Sequence, residues 1–172
     1  MVIARHVVIT GLMGAGKSSV GKRVGARLGW AWHDSDTEIE AATGATVREL
    51  RDRDGVDAMH RREWTHLLDA LETAEPSVIS AAASVIDDPA CRTAMATAGV
   101  TVIWLHARPE VLAERFDSED DHRPAYGDSV VAFLAEQAAR REPLLADARA
   151  LVIDTDTLTV GEVVERTMEA LG

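Results

Sequence analysis

Cysteine is almost missing. Cys91 is the one thiol in 172 residues, which excludes an internal disulfide and suits a reducing compartment, the cytoplasm. It reads as a small apolar residue on a helix. Aromatic side chains make up only 4% of the chain, and four of the seven are Trp30, Trp32, Trp64 and Trp104. These are expected to pack helices onto a sheet, with base stacking as the alternative role. No apolar run approaches the ~20 residues that a membrane span requires. Residues 1–7 lack a signal-peptide layout, so no membrane partner is expected. Positive charge is also short: 18 Lys and Arg stand against 29 Asp and Glu, a formal net charge of −11. That balance excludes the basic stripe of a nucleic-acid surface. Any polyanionic ligand must therefore be met by local positive charge, and the acidic excess serves solubility on exposed faces. Internal repeats, linkers and low-complexity tracts are absent. The length fits one domain, 1–172, with a full core, and a monomer is expected.

What is present is a strand, a glycine-rich turn and a helix in that order. His6-Val7-Val8-Ile9-Thr10 is a short buried strand, and Val20, Val24 and Leu28 give the following segment helical spacing. Between them lies Gly11-Leu12-Met13-Gly14-Ala15-Gly16-Lys17-Ser18, which fits G-x-x-x-x-G-K-[ST] at all four fixed positions. In this pattern the glycines allow angles and close approach that a Cβ would block. Successive backbone N–H groups ring phosphate oxygens, with the positive end of the helix dipole behind them. Gly14, Ala15, Gly16, Lys17, Ser18 and Ser19 are the expected nucleotide contacts. Lys17 would reach the β- and γ-phosphates of ATP, and the Ser18 hydroxyl would ligate Mg²⁺.

Further strands are expected at 31–34, 77–81, 100–105 and 151–154. Helices are expected at 46–74 with a break near Asp54-Gly55, from Asp88-Pro89 to Gly99, from Pro109 to Phe116, and at 129–148 and 160–171. Asp36 or Thr37 reads as a helix cap. The charged stretch after Phe116 reads as a mobile loop. Short apolar strands alternating with helices indicate an α/β fold, a parallel sheet covered on both faces. Ligands bind such sheets at the carboxyl ends of the strands, here the phosphate loop, Asp34 to Asp36, Ala81 to Ala83 and Thr155. A carboxylate there can hold Mg²⁺ or its waters, and a second can take a proton from an attacking hydroxyl. His6, His33, His66, His106 and His122 form no metal-ligand spacing.

In this order and spacing the sequence resembles the shikimate kinase family of small P-loop kinases. The matching pieces are the phosphate loop, Asp34-Ser35-Asp36-Thr37-Glu38-Ile39-Glu40, Gly44-Ala45-Thr46-Val47-Arg48-Glu49-Leu50 and Pro109-Glu110-Val111-Leu112-Ala113-Glu114-Arg115. Arg123-Pro124, Arg141-Glu142-Pro143-Leu144 and Val152-Ile153-Asp154-Thr155 complete them. The resemblance implies a three-layer P-loop kinase fold with a five-stranded parallel sheet, a lid loop near 117–125 and an acceptor-binding helical segment near 34–63. It places Asp34 with Ser18 at Mg²⁺, Asp36 on the acceptor's hydroxyls and Arg115 along the adenine. It also implies Lys17, Asp36 and Arg123 as catalytic, with Arg123 closing over the phosphates and Arg141 pairing with an acceptor carboxylate.

Departures fall on the acceptor side. A Gly-Gly-Gly run of the family is Ala81-Ala82-Ala83 here, which narrows the space near Ala82 and would strain any position with positive φ. The family's G-E-x-x-F-R-x-x-E segment reads Gly55-Val56-Asp57-Ala58-Met59-His60-Arg61-Arg62-Glu63, so an acceptor-binding arginine has become His60. The implied activity is transfer of the γ-phosphate of ATP to a hydroxyl of a small carboxylated polyol, shikimate or a related cyclitol or sugar acid. The alternatives are a gluconate-type or other carbohydrate kinase, a monophosphate kinase, or an ATP-binding regulator without transferase activity.

Overall fold

The structure is a computed structural model that describes residues 5–117 and 130–172. Apart from its first residue the expected lid lies outside the described residues, and so do Arg123 and His122. Five strands form one parallel sheet: β1 (His6–Gly11), β2 (Ala31–Asp34), β3 (Ser77–Ser80), β4 (Val100–His106) and β5 (Leu151–Asp154). Their order across the sheet is β2-β3-β1-β4-β5, which puts β1 in the middle with the phosphate loop at its carboxyl end. Val7, Val8, Ile9, Val78, Ile79 and Ile103 are fully buried, as central strands covered on both faces require.

Among the described residues there are eight α-helices. α1 (Lys17–Leu28) leaves the phosphate loop and ends at Gly29, whose left-handed φ of 67° closes it. On its inner face Gly21 and Gly25 lie against Trp32: a Cβ on Gly21 would come within 2.1 Å of Ser80 Oγ and 2.8 Å of Trp32 Nε1. The missing side chains let α1 seat against β2 and β3. α2 (Ser35–Thr43), α3 (Val47–Asp54) and α4 (Val56–Leu71) form a helical arm with a small apolar centre of Ile39, Leu50 and Met59. α3 opens on a Thr46–Glu49 capping box. Gly55, at φ 89° and ψ 165°, supplies the break between α3 and α4 that Asp54-Gly55 predicts. α5 (Pro89–Met95), α6 (Pro109–Asp117), α7 (Val130–Arg141) and α8 (Val160–Leu171) complete the set.

Beyond shifts of one to three residues at other ends, three boundaries differ from the sequence expectation. Asp34, not Asp36 or Thr37, caps α2. The helix expected to run to Ala148 leaves the α conformation after Arg141, because Pro143 has no N–H to continue the ladder. Glu142–Leu144 form a 3₁₀ turn, and Arg149 takes a positive φ of 53° before β5. The helix expected to reach Gly99 stops at Met95. Among the described residues no helix is long and apolar enough to cross a membrane.

Candidate active site

The carboxyl ends of the strands open into one cavity of about 930 Å³. One side is the phosphate loop. Gly14 and Gly16 hold left-handed φ values of 80° and 89°. A Cβ on Gly14 would sit 2.7 Å from the Leu112 carbonyl oxygen, so the loop reaches this close to α6 only as glycine. The Ala15 N–H donates to Leu12 O at 3.1 Å, which curls the loop, and Lys17 Nζ donates to the same carbonyl at 3.1 Å. The ammonium thus lies over the cradle where phosphate oxygens would enter.

Ser18 and Asp34 meet at 2.5 Å through Ser18 Oγ and Asp34 Oδ2. The other oxygen of Asp34 accepts from the Thr37 N–H at 3.0 Å and from Thr37 Oγ1 at 2.9 Å. Asp34 therefore caps α2 and faces the loop at the same time. Beside it, buried Ser35 Oγ has no hydrogen-bond partner among the described residues, and it lines the cavity. The Ser18 hydroxyl and the Asp34 carboxylate are hard-oxygen donors of the kind that Mg²⁺ prefers. The residues present fit that ion.

Arg115 stands at the loop's outer edge. Its Nη1 donates to Thr155 Oγ1 at 3.0 Å and its Nη2 to Thr155 O at 2.6 Å. Thr155 is fixed in turn by bonds to His106 O from its N–H at 2.7 Å and its Oγ1 at 3.0 Å. The guanidinium is thereby held at Thr155, while the Arg115 Cβ would lie 3.6 Å from a Cβ on Gly14.

The far side of the cavity is lined by Asp36, His60, Glu63, Asp87 and Arg141. Asp36, in the first turn of α2, is exposed. Burial pushes the carboxyl of Glu63 up to about 7, and the charge of Asp36 adds to the rise while Arg141 and Lys17 oppose it. Its oxygen accepts a short hydrogen bond from Ser84 Oγ. His60, tilted against Trp64 at 6.3 Å between ring centroids, is pushed below its usual range by burial and then by Arg141. It is therefore a neutral hydrogen-bonding group near pH 7. Trp64 itself donates Nε1–H to Ser84 O at 2.8 Å and packs on the core.

Ala81 is buried and Ala82 and Ala83 form part of the cavity wall. Ala82 has φ −61° and ψ 152°, and among the described residues Arg149 is the one non-glycine with positive φ. The alanine run is unstrained, and its methyls narrow the cavity without filling it.

Arg141 is 4% exposed at the end of α7. Its Nε lies 3.1 and 3.2 Å from the two carboxylate oxygens of Asp87, and its Nη2 donates to Asp87 Oδ2 at 2.8 Å. Its Nη1 donates to Gln137 Oε1 at 2.5 Å. The arginine expected to meet a ligand's carboxylate thus meets one from its own chain.

The cavity brings together Gly14, Ala15, Gly16, Lys17, Ser18, Ser19, Asp34, Asp36, His60, Ala82, Arg115 and Arg141. Arg123 is beyond the described residues. Two residues that sequence reasoning missed are Glu63 and Asp87. Glu63 was legible as the last position of the rewritten segment. Asp87, next to an ordinary helix cap, carried no signal.

The family model for shikimate kinase matches residues 13–172. A shikimate kinase of Paramagnetospirillum magneticum is 37% identical over 171 residues, covering 98% of this chain and 85% of that protein. One of Symbiobacterium thermophilum is 33% identical over 168 residues, covering 96% and 95%. Among solved structures, shikimate kinase from Acinetobacter baumannii in complex with shikimate superposes with a TM-score of 0.88 at 24% identity, covering 99% of this chain and 94% of that one. A gluconokinase from Sinorhizobium meliloti shares the fold at a TM-score of 0.68 and 22% identity, over 99% and 93% of the two chains. Matched along nearly its whole length, the chain belongs to the shikimate kinase family, a family of ATP-dependent phosphotransferases.

Proposed function

We propose that this protein transfers the γ-phosphate of ATP to a hydroxyl of shikimate or a closely related cyclitol or sugar acid. The observation that carries this reading is a single cavity lined both by the phosphate loop and by Asp36, Glu63, His60 and Arg141. ATP would lie with its phosphates in the amides of Gly14 to Ser19 and its base along Arg115. The acceptor would lie against α2 and α4, with Asp36 on the reacting hydroxyl.

In the reaction the acceptor oxygen forms a bond to the γ-phosphorus as the bond to the β–γ bridging oxygen breaks. The hydroxyl proton goes to the carboxylate of Asp36, and ADP leaves. Lys17 swings from Leu12 O to the phosphates and neutralises charge on the transferring group, which is where catalysis of this reaction mostly lies. Ser18 and Asp34 would hold Mg²⁺, which would add charge neutralisation and help to align the phosphates. Arg123 is assigned to the same charge cluster on its sequence position alone. Thr155 keeps Arg115 flat for the base, and the wall of Ala81 to Ala83 sets the acceptor's depth.

The proposed enzyme is a monomer of one domain over 1–172. A cytoplasmic setting is proposed with it, in keeping with a chain whose one cysteine has no disulfide partner. Turnover of ATP in the presence of shikimate, gluconate and a panel of cyclitols tests the proposal. ADP formation that depends on shikimate and yields a phosphorylated acid supports it; ATP binding without transfer to any of these acceptors overturns it.

A further inference from the structure

The guanidinium of Arg141 has two edges on which a carboxylate can bind through paired N–H bonds. The side-on edge, Nε with Nη2, is taken by Asp87, and Nη1 is engaged by Gln137. This is no chance surface contact. Arg141 is buried, and its side chain is only 5% exposed against 20% for that of Asp87. The backbone that carries Asp87 is pinned as well. Its N–H donates to Ser84 O at 2.9 Å, and its carbonyl accepts from Arg92 Nη1 at 3.1 Å. Arg140 Nη2 lies 3.3 Å from the same carboxylate, so two arginines and one aspartate make the cluster. A ligand carboxylate arriving at Arg141 meets the like charge of Asp87. His60 lines the same cavity, and burial and the charge of Arg141 push it below its usual range, which works against a compensating charge there.

We infer that Asp87 is a specificity-determining residue: a built-in carboxylate that competes with the acceptor's own carboxylate for Arg141. The inference rests on the acceptor reading proposed above. In the free enzyme Asp87 keeps the buried guanidinium paired, which avoids an unbalanced internal charge. An acidic acceptor has to displace it or share the arginine with it. The site therefore discriminates weakly between a carboxylated polyol and its uncharged counterpart. Asp87 acts by occupying Arg141 and takes no part in phosphoryl transfer, so its effect falls on acceptor affinity.

The test is calorimetric titration of shikimate, and separately of its methyl ester, into the full chain saturated with Mg-ADP. Wild type, Asp87→Asn and Asp87→Ala are compared, and Mg-ADP affinity reports that each is folded. Removing the competing charge is expected to tighten shikimate binding by about tenfold or more and to leave the ester within about twofold. Equal or weaker shikimate binding in folded Asp87→Asn overturns the inference and leaves the proposed function standing, as does equal tightening of the ester. Wild type supplies an independent check should both variants fail to fold. It is expected to bind shikimate and the ester within about tenfold, and a preference for the acid of about a hundredfold contradicts the inference. If neither wild type nor variants bind shikimate while all bind Mg-ADP, the acceptor reading itself fails and the role of Asp87 falls with it.

Discussion

Asp34 joins two jobs, one of them the cap expected of Asp36 or Thr37. One carboxylate oxygen caps α2 through Thr37, and the other faces Ser18. Replacing it with alanine is expected to cost about 1 kcal/mol of stability from the lost cap, read as a fall of a few degrees in a thermal melt. The same variant should need more Mg²⁺ for turnover, which a metal titration of the rate would report. Glu63 carries the clearest pH dependence in the cavity. Its folded value of about 7 lies above the ordinary 4.5, so between those limits the folded protein binds more protons than the unfolded chain. The sign follows: the contribution to stability is complete below pH 4.5 and is lost as pH rises through about 7. The full difference is at most about 3 kcal/mol. Urea melts at pH 5 and pH 8 are expected to separate wild type from Glu63→Gln, with the variant showing the flatter profile. Glu63 and its neighbours show why some functional side chains stay hidden in a sequence. The pattern marks the position, but the burial and the nearby Asp36 that shift its titration come from elements brought together only by the fold.

Helices and strands were largely readable, because their causes are local. Short apolar runs gave the inner strands β3, β1 and β4, the edge strands β2 and β5 are partly exposed, and Gly55 broke the α3–α4 segment where its dipeptide indicates. The end of α7 was misread because Pro143 was treated as helix-compatible, although a proline without an N–H interrupts the ladder beyond its own turn. The close seating of α1 on the sheet had no local signal. Gly21 and Gly25 read as ordinary helical residues, and the need for glycine becomes plain only against Trp32 and Ser80. Ser80 Oγ both accepts from Trp32 Nε1 at 3.0 Å and donates to Lys17 O at 2.9 Å, tying β3 to the start of α1. Gly21→Ala is therefore expected to destabilise the protein by about 1–3 kcal/mol through overpacking. Differential scanning calorimetry would measure it, and a variant as stable as wild type would show that this contact relaxes freely.

For the whole molecule, an acidic chain of net charge −11 concentrates its useful positive charge along one cavity, from Lys17 and Arg115 to Arg141. The nucleotide half of that cavity was legible because the phosphate loop is one continuous stretch with fixed spacing. The acceptor half was legible only in part: His60 and Glu63 share α4, but Asp87 and Arg141 come from other elements, and Asp87 changes what Arg141 has to offer. Alanines in place of the family's glycines pointed to a narrower space and to strain at any positive φ; none of the three has a positive φ, and all three line the open cavity. The most direct measurement of the central claim is single-turnover transfer of the γ-phosphate from labelled ATP with Mg²⁺ and shikimate, for wild type and Lys17→Ala. Wild type is expected to give one phosphorylated shikimate per ADP, and the variant to be slower by about 10²–10³-fold. Mg-ATP binding with no phosphorylated product, or equal transfer by Lys17→Ala, would contradict it.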